Sequence, residues 1–596
     1  MTYRAPVDDL LFAMTHGAGL GAGLENGLYA DLADGMAATL LGEAARFAED
    51  VLAPINRAGD QHGAKLADGV VTTAPGWKEA YARWQEGGWQ GLVAKPEYGG
   101  MGLPHIVETA CFDMWSAANM AFMLGPLLSF GGADALSVHA SQELKDIWLQ
   151  KIVSGEWTAT MNLTEPQAGS DLNALRAKAE RQGDGTYRIF GQKIFITYGE
   201  HDLTDNIVHL VLARLPDAPP GTRGISLFLV PKFLLDDSGK PAKHNDLRCS
   251  GLEHKMGIHG SPTCTMIYGD EGGAVGWLIG EENRGLACMF TMMNAARLAV
   301  GVQGVALADR ATQQALSYAR DRKQGKAAGD AGQGMSPIVL HPDVQRMLMT
   351  MRAKTQAARL ICLMTANAID ISHRAEDAQA RKQAAERAGL LTPVAKAFST
   401  DIGNEVASMG VQVHGGMGFI EETGAAQHMR DVRIAGIYEG TNGIQAIDLI
   451  ARKLTLSGGE AMRHEIGQMR ATVAALRATN APAFGHMADR LGDCVESFVR
   501  ATEWCVSALA SRVPDALAAA TPYLRLFGLA RGGTGLADLA LAAHGLSPDG
   551  TDRAHASRVV VARFFAEHVA IESSGLELSV MDPEAVHAAA LVLAEA

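Results

Sequence analysis

The feature that most restricts how this chain can fold is a change of periodicity. Four short runs rich in β-branched and aromatic residues, Tyr187-Arg-Ile-Phe, Lys193-Ile-Phe-Ile-Thr, Ile207-Val-His-Leu-Val-Leu-Ala213 and Ile225-Ser-Leu-Phe-Leu-Val230, are separated by Gly, Asp and Pro. Such runs read as strands. On both sides of them Ala, Leu, Glu and Arg recur at helical spacing. The chain therefore reads as helices, then a β domain, then helices again.

Before the strands, Met36 to Val51 and Trp77 to Gly88 carry helical spacing around a breaker-containing connection near 69 to 75, and a second helical block runs from His105 to Gly155. This predicts that the first 155 residues are all-helical. After the strands, the Ala-rich and nearly breaker-free stretch Leu286 to Lys323 predicts one long helix. A glycine-rich loop from Gln324 to Ser336 follows, and then Pro342 in the first turn of a helix reaching Ile371. Another helix is expected over Leu391 to Val413. Beyond Leu456-Ser-Gly-Gly459 the helical periodicity continues to the end, enough for a domain of its own. The expected divisions are an N-terminal extension at 1–39, a helical domain at 40–158, a β domain at 159–281, a helical bundle at 282–455 and an extra helical domain at 456–596.

With 596 residues the chain is too long for one core, and 47% apolar with only 6% aromatic residues favours helix over a strand sandwich. A net charge of -14 repels phosphate backbones, so nucleic acid is not an expected partner. The seven cysteines, at 111, 249, 264, 288, 362, 494 and 505, form no CxxC pair. Neither a disulfide framework nor a metal site is indicated, and a reducing, cytoplasmic setting fits. The start, Met1 to Asp9, lacks the basic and apolar stretches of a signal peptide. The nearest candidate for a membrane span, Met120 to Leu136, contains Gly125, Pro126 and Asp134 and reads as a buried helix end. Gly17-Ala-Gly-Leu-Gly-Ala-Gly23 lacks GxGxxG spacing and a preceding strand, so it is no dinucleotide fingerprint.

Three clusters carry chemistry. Met161-Asn-Leu-Thr-Glu-Pro-Gln-Ala-Gly-Ser-Asp171 lies where helices give way to strands. Taken alone it is a turn, but its hydroxyls and backbone N–H groups also suit a polar ring edge or a pyrophosphate. Gln412-Val-His-Gly-Gly-Met-Gly-Phe419 is a tight turn or a place where backbone approaches a ligand. Ile437-Tyr-Glu-Gly-Thr-Asn-Gly-Ile-Gln445 sets one carboxylate among glycine and apolar neighbours, which can tune Glu439 for proton transfer.

The three clusters in this order, within a helix–strand–helix layout over about residues 40 to 455, resemble the acyl-CoA dehydrogenase family. The resemblance implies FAD held between the β domain and the second helical domain. It implies Glu439 as the catalytic base, which removes the α-proton of an acyl-CoA thioester. Met161, Leu163 and Thr164 would line the flavin ring, with Gly169 allowing close passage and Ser170 at the pyrophosphate and beside the substrate. Phe195 and Thr197, at the strand end Phe195-Ile-Thr-Tyr198, would pack on the flavin and bond it. Arg322, Gln412, Gly415 and Gly416 would meet an FAD shared with a neighbouring subunit, hence a homodimer or homotetramer. Thr441 and Gly443 would sit near the cofactor, and Asn294, Arg297, Tyr438 and Gly440 near the substrate. Arg297 and Arg322 would share a face of one unbroken helix, about 37 Å apart. Some relatives carry the base just before the arginine, but Ala296 stands there and cannot take a proton.

Electrons would pass to an electron-transferring flavoprotein. An oxidase that uses O₂, or an FAD-containing DNA-alkylation-response protein, would share the fold. Three departures from the family pattern are Asn162, Gln427 and the stretch Lys323-Gln-Gly-Lys326. The start Tyr3-Arg-Ala-Pro-Val-Asp-Asp9, the phrase Glu253-His-Lys-Met-Gly-Ile-His-Gly-Ser-Pro262 and the extra C-terminal domain resemble the longer bacterial subgroup that includes 3-methylmercaptopropionyl-CoA dehydrogenases.

Overall fold

A computed structural model describes residues 3–594; the outermost residues of the segments expected at 1–39 and 456–596 lie outside it. Four long helices form the frame: α1 (His105–His139), α2 (Gly285–Asp321), α3 (Pro342–Arg374) and α4 (Ala378–His414). Helix α1 begins with its first N–H groups bonded across the molecule. Asp370 of α3 accepts from His105 N at 2.7 Å and Ile106 N at 2.9 Å, as an N-cap side chain would. Inside α1, Asn119 leaves the helical region (φ -159°, ψ 87°), and its Oδ1 accepts from Phe122 N. Pro126 has no N–H to offer the Phe122 carbonyl. The Tyr198 hydroxyl fills that gap, 2.9 Å from Ala121 O and 3.4 Å from Phe122 O. Met120 to Leu136 therefore runs through the interior of a buried helix rather than forming its end. Helices α1 and α2 are apolar enough to cross a membrane, but 83% and 56% of their apolar windows are buried inside the fold, as befits core helices.

Helices α2 and α4 meet backbone to backbone. A Cβ on Gly301 would stand 2.4 Å from Ala395 O, and one on Gly304 would stand 2.5 Å from Ser399 O. Only glycine permits that approach.

The first 155 residues are not all helical, because β1 (Lys65–Ala67) and β2 (Val70–Thr72) form a hairpin. Asp68 and Gly69 both have positive φ, the two-residue Asp-Gly turn that favours such hairpins. The main sheet has eight strands: β3 (Thr158–Asn162), β4 (Lys178–Arg181), β5 (Tyr187–Thr197), β6 (Ile207–Arg214), β7 (Ile225–Pro231), β10 (Leu247–Leu252), β11 (Thr263–Tyr268) and β12 (Ala274–Ile279). Their order is β10-β11-β5-β12-β7-β6-β3, with β4 against β5 and β6, and β8 (Phe233–Leu235) pairs separately with β9 (Pro241–His244). The runs at 187 and 193 are one continuous strand. Two registers aim the site: β3 lies parallel to β6 with Met161 opposite Leu210, and β11 is antiparallel to β5 with Thr263 opposite Thr197.

Downstream, α5 (Asn442–Asp448) leads into the C-terminal helices, of which α6 (Ala520–Leu546) packs on α3, α4 and α5. Gly528 of α6 leaves room for the Phe398 ring of α4. Buried Glu465 pairs with Arg387 of α4 at 2.7 Å and Arg531 of α6 at 2.6 Å. At the other end of the chain Asp9 pairs with Arg352 and Arg558, and Tyr3, Leu10, Met14 and Tyr29 are buried in the same core. All seven cysteines are free and buried.

Candidate active site

A cavity of about 390 Å³ opens where the β domain meets α2 and the Glu439 turn. That is a size suited to a small organic ligand. Met161, Leu163, Thr164, Gly169 and Ser170 form one wall, and Phe195 and Thr197 a second. Leu286, Phe290, Met293 and Arg297 come from α2, and Glu439, Gly440, Ile444 and Arg452 from the opposite side.

The first wall is fixed from beneath by a buried ion pair. Lys193, with no exposed surface, donates to Leu163 O at 3.0 Å and to Glu165 Oε1 at 2.8 Å. Burial pushes the Lys193 ammonium down to about 8. Burial alone would raise Glu165, but the Lys193 charge and the N–H groups of Arg176 and Ala177 hold it below the usual carboxylate range. Glu165 is thus a strut for the loop. Lys193 was absent from the expected site, although a lysine inside a β-branched run is itself a signal of a buried pair. The departure at Asn162 also has a structural companion, since Asn162 Oδ1 accepts from the Tyr268 hydroxyl at 2.8 Å.

Strand β5 ends in strain. Phe195 (φ 60°) and Tyr198 (φ 51°) are both left-handed, and Phe195 stays 58% exposed with its ring at the cavity wall. Non-glycine residues hold such conformations only where the surroundings enforce them, often at functional sites.

Glu439 is strained in the same way, with φ 55°, followed by Gly440 at φ 82°. Gln445 Nε2 donates to Glu439 O at 3.1 Å and reaches Gly440 O at 3.5 Å. Thr441 caps α5, its Oγ1 accepting from Ile444 N. Asn442 is bonded to α4 on both sides of its amide: Oδ1 accepts from Lys396 Nζ at 2.9 Å, and Nδ2 donates to Asp401 Oδ1 at 2.6 Å. Burial pushes the Glu439 carboxyl up to about 7, against the pull of Arg297 and Lys396. Arg297 is 7% exposed, with its Nη1 3.5 Å from Asn294 Oδ1 and 3.9 Å from Asp448, and its Nε has no partner among the described residues.

Ten of the expected site residues thus line one cavity, and the others lie off it. Asn294 is exposed beside Arg297, Gly443 is exposed, and Thr441 serves the cap. The Tyr438 hydroxyl donates to Gln303 on α2. Arg322 is not on an unbroken helix with Arg297: α2 stops at Asp321, and Arg322 is extended (ψ 122°). Gln412, Gly415 and Gly416 lie exposed at the end of α4, where Gly415 takes φ 59° and no atom lies within 4 Å of a Cβ built on either glycine.

An uncovered aromatic ring, the hydroxyls of Thr164, Ser170 and Thr197 on the same walls and open space at Gly169 make a set that fits a flat ring with polar edges. FAD has that form. Among the described residues no group of three or more His, Cys, Asp or Glu could hold a metal ion.

Comparison with known proteins agrees. The family model "Acyl-CoA dehydrogenase, N-terminal domain" matches residues 37–156, the "middle domain" 160–270 and the "C-terminal domain" 283–455, while "Acetyl-CoA dehydrogenase C-terminal like" matches 466–590. A 3-methylmercaptopropionyl-CoA dehydrogenase of Ruegeria pomeroyi is 45% identical over 98% of both chains. Among solved structures, Caenorhabditis elegans ACDH-11 in complex with C11-CoA superposes with a TM-score of 0.79 at 19% identity, covering 99% of this chain and 95% of that one. An acyl-CoA dehydrogenase complexed with FAD from Bacillus anthracis gives 0.73 at 20% identity, covering 92% and 88%. This chain belongs to the acyl-CoA dehydrogenase family, a FAD-dependent oxidoreductase of acyl-CoA thioesters.

Proposed function

We propose that this enzyme converts 3-methylmercaptopropionyl-CoA to its trans-2-enoyl thioester, with Glu439 as the base. The observation that carries the base is the left-handed Glu439 turn, which sets a carboxyl of raised proton affinity on the cavity wall opposite β3 and β5. The relative 45% identical along nearly the whole chain supports the substrate.

When bound, FAD supplies the hydride acceptor for the β-hydrogen. The protein supplies everything else. Glu439, ionised, takes the α-proton. The thioester oxygen gathers charge as that proton leaves, and the Glu439 N–H is the donor that meets it. Arg297 adds positive charge on the same side. Leu286, Phe290 and Met293 keep water from the reacting carbons and offer an apolar, polarisable surface to a thioether. Met161, Leu163, Thr164, Gly169, Ser170, Phe195 and Thr197 would hold the flavin, with Thr441 and Gly443 close by. Ser170, Asn294, Tyr438 and Gly440 would flank the substrate together with Arg297. The exposure of Arg322, Gln412, Gly415 and Gly416 supports an adenine site completed by a second copy, in a homodimer or homotetramer. Electrons would leave to an electron-transferring flavoprotein in the cytoplasm, and the chain would divide into domains near 40, 159, 282 and 456.

The test is an anaerobic titration of the yellow holoenzyme with acyl-CoAs, 3-methylmercaptopropionyl-CoA and butyryl-CoA among them, read by flavin absorbance. Bleaching by the thioether substrate at the lowest concentration is expected, and its loss in Glu439→Gln with flavin retained. Equal or stronger bleaching by butyryl-CoA would overturn the substrate. Bleaching that survives in Glu439→Gln would overturn the base.

A further inference from the structure

Lys396 lies on α4 at the point of closest contact with α2, where its backbone N is 3.2 Å from a Cβ built on Gly301. Its side chain has no exposed surface. A buried ammonium is costly unless charge or strong acceptors face it. Its bonded partner is a neutral amide, Asn442 Oδ1, and the carboxylates acting on it are Glu439 and Asp401.

The bond to Asn442 is directional. With Oδ1 held by Lys396, Nδ2 must face Asp401 and Thr400, which accept from it at 2.6 and 3.0 Å. Asn442 opens α5, three residues after Glu439, and Gln445 of the same helix donates to the Glu439 carbonyl. A chain of contacts therefore runs from Lys396 through Asn442 and α5 to the strained Glu439 backbone. The same ammonium also acts electrostatically on the Glu439 carboxyl.

We infer that Lys396 is a positioning residue for the base: it locks the Glu439 turn through Asn442 and supplies positive charge that favours the carboxylate form of Glu439. This rests on Glu439 being the base. The other charged groups around the pair are Arg297 on α2, Asp401 on α4 with Glu405 and Arg525 beside it, and Asp448 on α5 with Arg452. Arg297 shares the electrostatic task, but it makes no bond to the 439–442 turn. Of these two cations, Lys396 is the one that couples charge to geometry. Burial pushes the Lys396 ammonium down to about 7, and the Glu439 and Asp401 carboxylates pull against that, so the charge on Lys396 depends on the anions facing it.

The experiment is stopped-flow flavin bleaching of FAD-loaded wild type, Lys396→Gln, Lys396→Arg and Glu439→Gln over the neutral pH range. Lys396→Gln is expected to move the acid limb up by about one pH unit, so that bleaching below the midpoint slows about tenfold. Lys396→Arg, which restores the charge, is expected to bring the midpoint back. An unchanged midpoint and rate in Lys396→Gln, or identical profiles for Gln and Arg, would overturn the inference while an inert Glu439→Gln left the base standing. If Lys396→Gln does not retain flavin, Asn442→Ser removes the Lys396 acceptor with the cap intact. It is expected to slow bleaching as well, and a wild-type rate there would overturn the inference.

Discussion

Gly301 of α2 lies directly on the carbonyl of Ala395 in α4, so that a Cβ at Gly301 would stand 2.4 Å from that oxygen. The contact brings together the two helices that carry Arg297 and Lys396, and the distance between those two cations and Glu439 depends on it. The atom in the way is backbone, which cannot swing aside. Gly301→Ala is expected to destabilise the fold by about 1–3 kcal/mol and to slow flavin bleaching. Gly467→Ala, on a helix where a Cβ meets nothing within 4 Å, is the control, and is expected to stabilise by about 0.5–1 kcal/mol. Thermal melts of both variants decide the matter.

The raised proton affinity of Glu439 sets the sign of two pH effects. Bleaching should accelerate as pH rises through about 7, where Glu439, the proposed base, ionises. Stability should run the other way: the protonated carboxyl contributes fully below its ordinary 4.5, and that contribution is lost as pH rises through about 7. Glu439→Gln, which cannot ionise, should therefore gain on wild type over this window, by up to about 3 kcal/mol less the screening by water. Parallel melts of the two proteins across the window measure the difference.

Glu465 behaves oppositely. Burial alone would raise it, but Arg387 and Arg531 hold its carboxyl down at about 2, so its contribution is present above the ordinary 4.5 and lost as pH falls toward 2. Glu465→Gln leaves two buried guanidinium groups without their anion and should cost about 3–5 kcal/mol. Because the cluster joins α4 to the C-terminal helices, limited proteolysis should cut the variant faster near Leu456–Gly459.

Lys193→Met strands the Glu165 carboxylate inside the β domain, at a cost of about 3–5 kcal/mol, and frees the loop that carries Leu163 and Thr164. The variant should elute from gel filtration with less flavin than wild type. Adding Glu165→Gln removes the stranded charge, so the double variant should melt above the single one. A single variant that keeps its colour and melting temperature would contradict the strut.

Local chemistry made much of this protein legible in its sequence. The long helices α2 and α3 follow from uninterrupted helical spacing and from Pro342 in a first turn, and the Glu439, Met161 and Gln412 clusters stand out because glycine, hydroxyl and carboxylate residues are packed into short stretches. Strand β3 was missed because it is buried on both faces and shows no alternation, and the 65–72 hairpin because each of its strands is only three residues long. The strain at Phe195 and Glu439, the contact of Gly301 with Ala395, and the meeting of Lys396 with Asn442 belong to the tertiary structure alone. The two contacts join elements tens of residues apart, and the two strained residues hold a left-handed backbone conformation that their residue type by itself disfavours. The sequence by itself thus determined the order of helical and β segments and singled out Glu439 as the candidate carboxylate. What surrounds that carboxylate, and therefore the pH at which it can take a proton, was decided by packing, because burial and the placing of distant charges are properties of the assembled fold.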